Sequence, residues 1–179
     1  MAVKPTIYKL RIALSDLERH YYDALNLTIA LHPSETPERM VARVLAFCLN
    51  AQSDLSFTKG LSAIEEPDVW VKLMDDTVDL WIDVGEPSVE RVKKASRQAN
   101  NVMIYSFNSK SDVWWDQSRS KLKFPNVSIM RFDYLQIETL ASHLERTSDW
   151  SVTVSGQSAY ITTSSGEVDV SWQILMGNT

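Results

Sequence analysis

The chain opens with alternation: from Thr6 to Leu14, Tyr8, Leu10 and Ile12 face one side and Ile7, Lys9 and Arg11 the other, which predicts a strand. Tyr21 to Leu31 predicts a second, with Ser15-Asp16-Leu17-Glu18 as connection. The period then changes. Met40, Val44, Cys48 and Ala51, joined by Val41, Leu45 and Phe47, repeat at helical spacing after a start signature in which Thr36 caps, Pro37 takes the first helical position and Glu38 sits in the first turn. Phe57 to Ser62 and Thr77 to Val84 return to an extended pattern. In the second of these, Leu80, Ile82 and Val84 share one face while Asp79, Trp81 and Asp83 share the other.

Gly85-Glu86-Pro87-Ser88 ends that strand, and Ser88 to Asn100 predicts a helix with Val89, Val92, Ala95 and Ala99 inward. Val102 to Phe107 is extended again, so strand–helix–strand predicts a right-handed parallel crossover. Asp112 to Leu122 and Gln136 to Arg146 predict helices around a strand at Val127 to Phe132. In the segment Val152 to Leu175, Ser164-Ser165-Gly166-Glu167 separates two alternating runs, a hairpin signal. The pattern predicts one α/β domain over 1–179: a mixed central β-sheet flanked by helices, with added antiparallel strands and hairpins at both ends.

Composition narrows the class without changing this picture. The chain's 179 residues suffice for a core, and 44% apolar with 23% charged residues excludes disordered and collagen-like chains. No continuous apolar run marks a signal peptide or a membrane span, so the expected location is cytoplasmic, with no membrane partner. The lone Cys48, in an apolar run, predicts a buried, inert thiol. Three histidines at long spacings support no zinc site, and His20, His32 and His143 are expected as hydrogen-bonded loop or surface residues. A net charge of −5 argues against strong nonspecific DNA binding, since counterion release needs a basic stripe.

The candidate chemistry is acidic. Asp68 follows Pro67, and Asp83 lies 15 positions later near the end of an apolar strand. Carboxylates from neighbouring strands can converge on Mg²⁺ or Mn²⁺, which stabilises charge at phosphorus and activates water. This spacing resembles the PD-(D/E)XK nuclease pattern, which implies metal ligands at Asp68 and Asp83 and a third at the helical Glu38 (or the nearby Glu35). The pattern's lysine, two residues after the second acid, is here Gly85. Lys94 on the following helix is the first candidate to replace it, with Lys59, Arg91 and Lys93 behind.

Across nearly its whole length the chain resembles the YaeQ family of small bacterial proteins. The resemblance rests on KPTIYK, HPSETPERM, FTKGL, EPDVW, LWIDVGEP, RVKKAS and DVWW. It implies a variant of the restriction-endonuclease-like PD-(D/E)XK core and carries no established activity. Two functions follow as expectations: a Mg²⁺- or Mn²⁺-dependent nuclease using Glu38, Asp68, Asp83 and Lys94, or a non-catalytic module binding protein or nucleic acid. Plainer roles stand beside them. Asp68 can cap a helix beginning at Val69, Asp83 can pair with Arg91, and Glu38 can answer a helix dipole. Trp70, Trp81, Trp114 and Trp115 can stack bases or pack the core, and Trp81 shares Asp83's side of its strand.

Overall fold

A computed structural model describes residues 4–59 and 63–177. Among these described residues, ten strands follow one another laterally in a single mixed sheet. Strands β1 (Thr6–Asp16) and β2 (Tyr21–Leu31) form an antiparallel hairpin in register from Thr6↔Leu31 to Asp16↔Tyr21. Helix α1 (Pro37–Leu49) follows, then β3 (Leu55–Phe57), β4 (Val69–Lys72) and β5 (Val78–Val84). Helix α2 (Val89–Gln98) crosses to β6 (Ala99–Ser106), and α3 (Ser111–Ser118) with a 3-10 turn (Arg119–Lys121) leads to β7 (Val127–Phe132). After α4 (Tyr134–Ser142) come β8 (Thr147–Ser155), β9 (Ser158–Thr163) and β10 (Gly166–Met176).

The lateral order is β2-β1-β8-β9-β10-β7-β6-β5-β4-β3. Strand β10 joins the two halves: Gly166 to Ser171 pair with β9, and Trp172 to Met176 pair with β7. The β5–α2–β6 unit is parallel, as expected from the change of period. The parallel pairing of β1 with β8 joins the first hairpin to the last three strands; the pattern of apolar positions gave no sign of it.

Local chemistry explains the elements. Thr36 Oγ1 accepts the Arg39 amide at 3.2 Å and Pro37 takes the first helical turn, as the start signature predicted. Every residue of α1 from Met40 to Cys48 is buried. A helix buried all round must be enclosed, and here the sheet and α4 enclose it. The alternation of β5, β6 and β7 divides the interior in two. Leu80, Ile82, Val84, Tyr105, Met130 and Phe132 pack into the main core with α1, while Trp81, Val102, Ile104 and Ile129 pack against Val92 and Ala95 of α2.

Some boundaries differ from expectation. The extended segment expected from Phe57 to Ser62 is a three-residue strand ending at Phe57, and 60–62 lie outside the described residues. The helix expected from Gln136 to Arg146 begins two residues earlier, where Asp133 caps it by accepting the Gln136 amide at 3.0 Å, and ends at Ser142. The segment after Asp68 is a strand: Val69, Trp70 and Val71 pair with Ile82, Trp81 and Leu80. Asp68 therefore caps no helix.

Candidate functional site

The carboxyl end of β5 faces a cleft of about 450 Å³, lined among others by Arg39, Asp68, Asp83, Glu86 and Arg91. Asp68 is placed by an amide hydrogen bond from its own N to Ile82 O, at 3.0 Å, which extends the antiparallel pairing of β4 with β5. Both acids are almost fully buried, at 5% and 4% exposure. Asp68 Oδ2 accepts the Val84 amide at 2.8 Å, and its Oδ1 accepts Arg39 Nη2 at 2.6 Å. Asp83 Oδ2 accepts Arg91 Nε at 2.8 Å and its Oδ1 accepts Arg91 Nη2 at 3.1 Å, a two-pronged guanidinium–carboxylate pair.

The arginines reach further than their acids. Arg91 also donates to Ile64 O at 2.6 Å and Glu66 O at 2.9 Å, and its guanidinium stacks 5.7 Å from the Trp81 ring centre. Arg39 donates to Glu35 at 2.6 Å and to Val84 O at 3.3 Å. Glu35 in turn accepts Arg43 at 2.6 Å, and Arg43 caps Ala30 O at 2.9 Å. An alternating chain of charges thus runs Arg43–Glu35–Arg39–Asp68, with Asp83–Arg91 beside it. Together they tie α1, β5, α2 and the segment before β4 around one cleft.

Desolvation raises the Asp83 carboxyl above its ordinary 3.8; Arg91 pulls it back through hydrogen bonds and charge, and the nearby Asp68 charge pushes it up again. Trp81 lies close enough to favour the charged form, but its buried indole N–H completes no hydrogen bond. Glu86 is fully committed to the end of β6. It accepts Ser106 Oγ at 2.7 Å, the Phe107 amide at 3.0 Å and the Asn108 side chain.

Of the four site residues expected from sequence, Asp68 and Asp83 share the cleft, while Glu38 and Lys94 are not among its lining residues. Glu38 is half-buried on α1, and its charge adds to the larger effect of Glu138 in disfavouring ionisation of Tyr134 on α4. Glu35, one turn earlier, is the acid joined to Asp68 through Arg39. Lys94 Nζ pairs with the exposed Glu65 at 2.5 Å. Among the described residues no group of three His, Cys, Asp or Glu could hold a metal ion. A Mg²⁺ ion needs carboxylate oxygens free to face it, and those of Asp68 and Asp83 face guanidinium or amide N–H groups, so the donor set does not fit the ion.

Gly85, in the lysine's expected place, has φ +123°, with its amide donating to Tyr105 O at 2.8 Å. A Cβ there would meet nothing within 4 Å, so the backbone conformation, not space, calls for glycine. Sequence reasoning missed Arg39 and Arg43. Their signal was the four-residue spacing Glu35, Arg39, Arg43, which sets an acid just before the α1 cap in line with two arginines on one side of the helix. His32, His143 and the cysteine match expectation. His32 Nδ1 contacts Ser34 Oγ at 2.8 Å, His143 Nδ1 contacts Thr163 Oγ1 at 2.7 Å, and burial pushes the Cys48 thiol up to about 12.

Comparison with known proteins agrees over almost the whole chain. The family model "YaeQ protein" matches residues 1–172. The YaeQ protein of Salmonella typhi is 37% identical over 178 residues, covering 97% of this chain and 98% of its own, and that of Escherichia coli K12 is 36% identical with the same coverage. The crystal structure of YaeQ from Xanthomonas axonopodis pv. citri matches with a TM-score of 0.94 at 30% identity, covering 97% of this chain and 99% of that one. The structure from Pseudomonas syringae gives 0.93 at 35%, covering 97% of each. By family model, by curated relatives and by solved structures alike, this chain belongs to the YaeQ family.

Proposed function

We propose that the chain is a non-catalytic binding module built on a nuclease-like framework, in which Asp68 and Asp83 hold the walls of the cleft in place. One observation carries this reading: both acids are paired with arginines at 2.6–3.1 Å, in the space a metal and its activated water need. Arg39 and Arg91 spread their remaining N–H groups over backbone carbonyls, which is structural work. Lys94, the cation expected to serve water, serves Glu65.

A second reading keeps a divalent-metal-dependent phosphodiesterase, and charge favours it. Four carboxylates (Glu66, Asp68, Asp83 and Glu86) line the cleft against two guanidiniums. A cation would balance that excess, provided it displaced Arg39 and Arg91.

Cleavage assays separate the two. Labelled single-stranded, duplex and branched substrates are incubated with Mg²⁺ and with Mn²⁺, with Asp83→Ala as control. The binding-module reading expects no product that depends on Asp83. Metal-dependent cleavage that disappears in the variant would establish the phosphodiesterase instead.

A further inference from the structure

The 16 residues from Gln117 to Phe132 contain no Asp or Glu, in a chain with 23 of them, and carry Arg119, Lys121, Lys123 and Arg131. The fold displays the first three at one place. Leu122 is fully buried and fixes the turn, with its amide on Arg119 O, so that Lys121 and Lys123 on either side of it are exposed. Among the described residues no carboxylate pairs with Arg119, Lys121 or Lys123.

These cations border a concave cleft of about 870 Å³ between α3, the turn before β7 and the end of β10. Its walls include the half-buried rings of Trp115 and Phe124, with Arg119 and Lys123 beside them. The rings are held from behind. Trp114 packs 6.2 Å from Trp115 and donates its indole N–H to Pro87 O at 2.9 Å, while Phe124 sits in a turn closed by Val127 N on Phe124 O at 3.2 Å. This cleft is distinct from the Asp68–Asp83 cleft, with which it shares no lining residue.

We propose that this cleft binds a short single-stranded nucleic-acid segment, with bases against Trp115 and Phe124 and phosphates at Arg119 and Lys123. The proposal rests on the binding-module reading in taking the chain as a binder, and it names the partner class. Flat rings flanked by two cations, free of acids, match a base and its neighbouring phosphates. An acidic peptide would use the cations and leave the rings without a counterpart. A duplex keeps its bases stacked and presents no ring face to Trp115 and Phe124, and the whole chain's net charge of −5 repels long polyanions. Only a short segment satisfies both constraints.

The test is fluorescence anisotropy with a labelled eight-residue oligothymidylate, titrated with the full chain at 50 and 200 mM salt without divalent cations. A glutamate octapeptide and vesicles of phosphatidylserine with phosphatidylcholine run in parallel. Saturable oligothymidylate binding is expected, with a log–log salt slope of about −1.4, roughly 0.7 for each of two phosphates. The exposed double variant Arg119→Glu/Lys123→Glu should weaken it at least about ten-fold, and Trp115→Ala by about five-fold or more, with Trp115→Phe retaining most of the affinity. Circular dichroism of each variant verifies folding.

No saturable binding, equal binding by the charge-reversal variant, or tighter binding of the peptide or vesicles would overturn the proposal. Adding Mn²⁺ at the end distinguishes the two readings. Bound oligonucleotide that is then cleaved contradicts the module while leaving the cleft assignment standing. Absent binding contradicts the cleft assignment alone.

Discussion

Arg91 grips Asp83 through Nε and Nη2, at 2.8 and 3.1 Å, and uses its remaining N–H groups to hold the carbonyls of Ile64 and Glu66. One guanidinium thus connects the last turn of the acidic strand to the segment that delivers Asp68. Removing it leaves a buried carboxylate and two carbonyls without donors. Arg91→Ala should cost about 2–3 kcal/mol, less than the 3–5 of a fully enclosed pair because Arg91 is 30% exposed. Asp83→Asn, which keeps an acceptor, should cost about 1 kcal/mol. Urea unfolding measures both; a loss below about 0.5 kcal/mol in Arg91→Ala would show that the pair does not brace the cleft.

Asp83 also predicts a pH dependence. Its folded carboxyl titrates above its ordinary 3.8, chiefly because burial disfavours the charge. The folded protein therefore keeps this proton at pH values where the unfolded chain has lost it. Asp83's contribution to stability is complete below 3.8 and declines as pH rises through its folded pKa. Carboxyl-carbon NMR should show a midpoint above 3.8, moving higher still in Arg91→Gln. Glu65 has the opposite sign: the hydrogen bond and charge of Lys94 lower it below 4.5, so its contribution is lost as pH falls.

Two acids one helical turn apart should behave differently. Glu35 is buried between Arg39 and Arg43, and Glu35→Gln leaves two guanidiniums short of charge, at a cost of about 3–5 kcal/mol. Glu38 is half-buried and outside this network, so Glu38→Gln should stay within about 0.5 kcal/mol. Thermal unfolding of the two variants side by side tests the assignment. Equal losses would place Glu38 in the network after all.

Restoring the lysine at the usual position should fail. Gly85 has φ +123°, where L side chains are strained, so Gly85→Lys should lose about 1–2 kcal/mol and gain no metal-dependent cleavage. Calorimetry and the same cleavage assay read both effects.

Much of this was legible in the chain. The bounds of β2, the cap and start of α1 and the β5–α2–β6 unit followed from period and capping, because those signals act within a few residues. The strand after Asp68 did not, since Val69-Trp70-Val71 is too short for period to distinguish strand from helix; pairing with β5 decides it. Likewise Asp83 was readable as a ligand or as a partner of Arg91, and only tertiary placement brings out the pair with Arg91. Lys94 was set on the correct helix, yet its direction depends on Glu65, in a loop that local pattern does not position.

The central claim is that Asp68 and Asp83 are committed to arginines rather than to a metal. Isothermal titration of the purified chain with Mn²⁺, repeated on Asp83→Ala, tests it most directly. The account predicts no saturable site tighter than about 1 mM in either protein. A stoichiometric micromolar site in the native chain that vanishes in Asp83→Ala would contradict it.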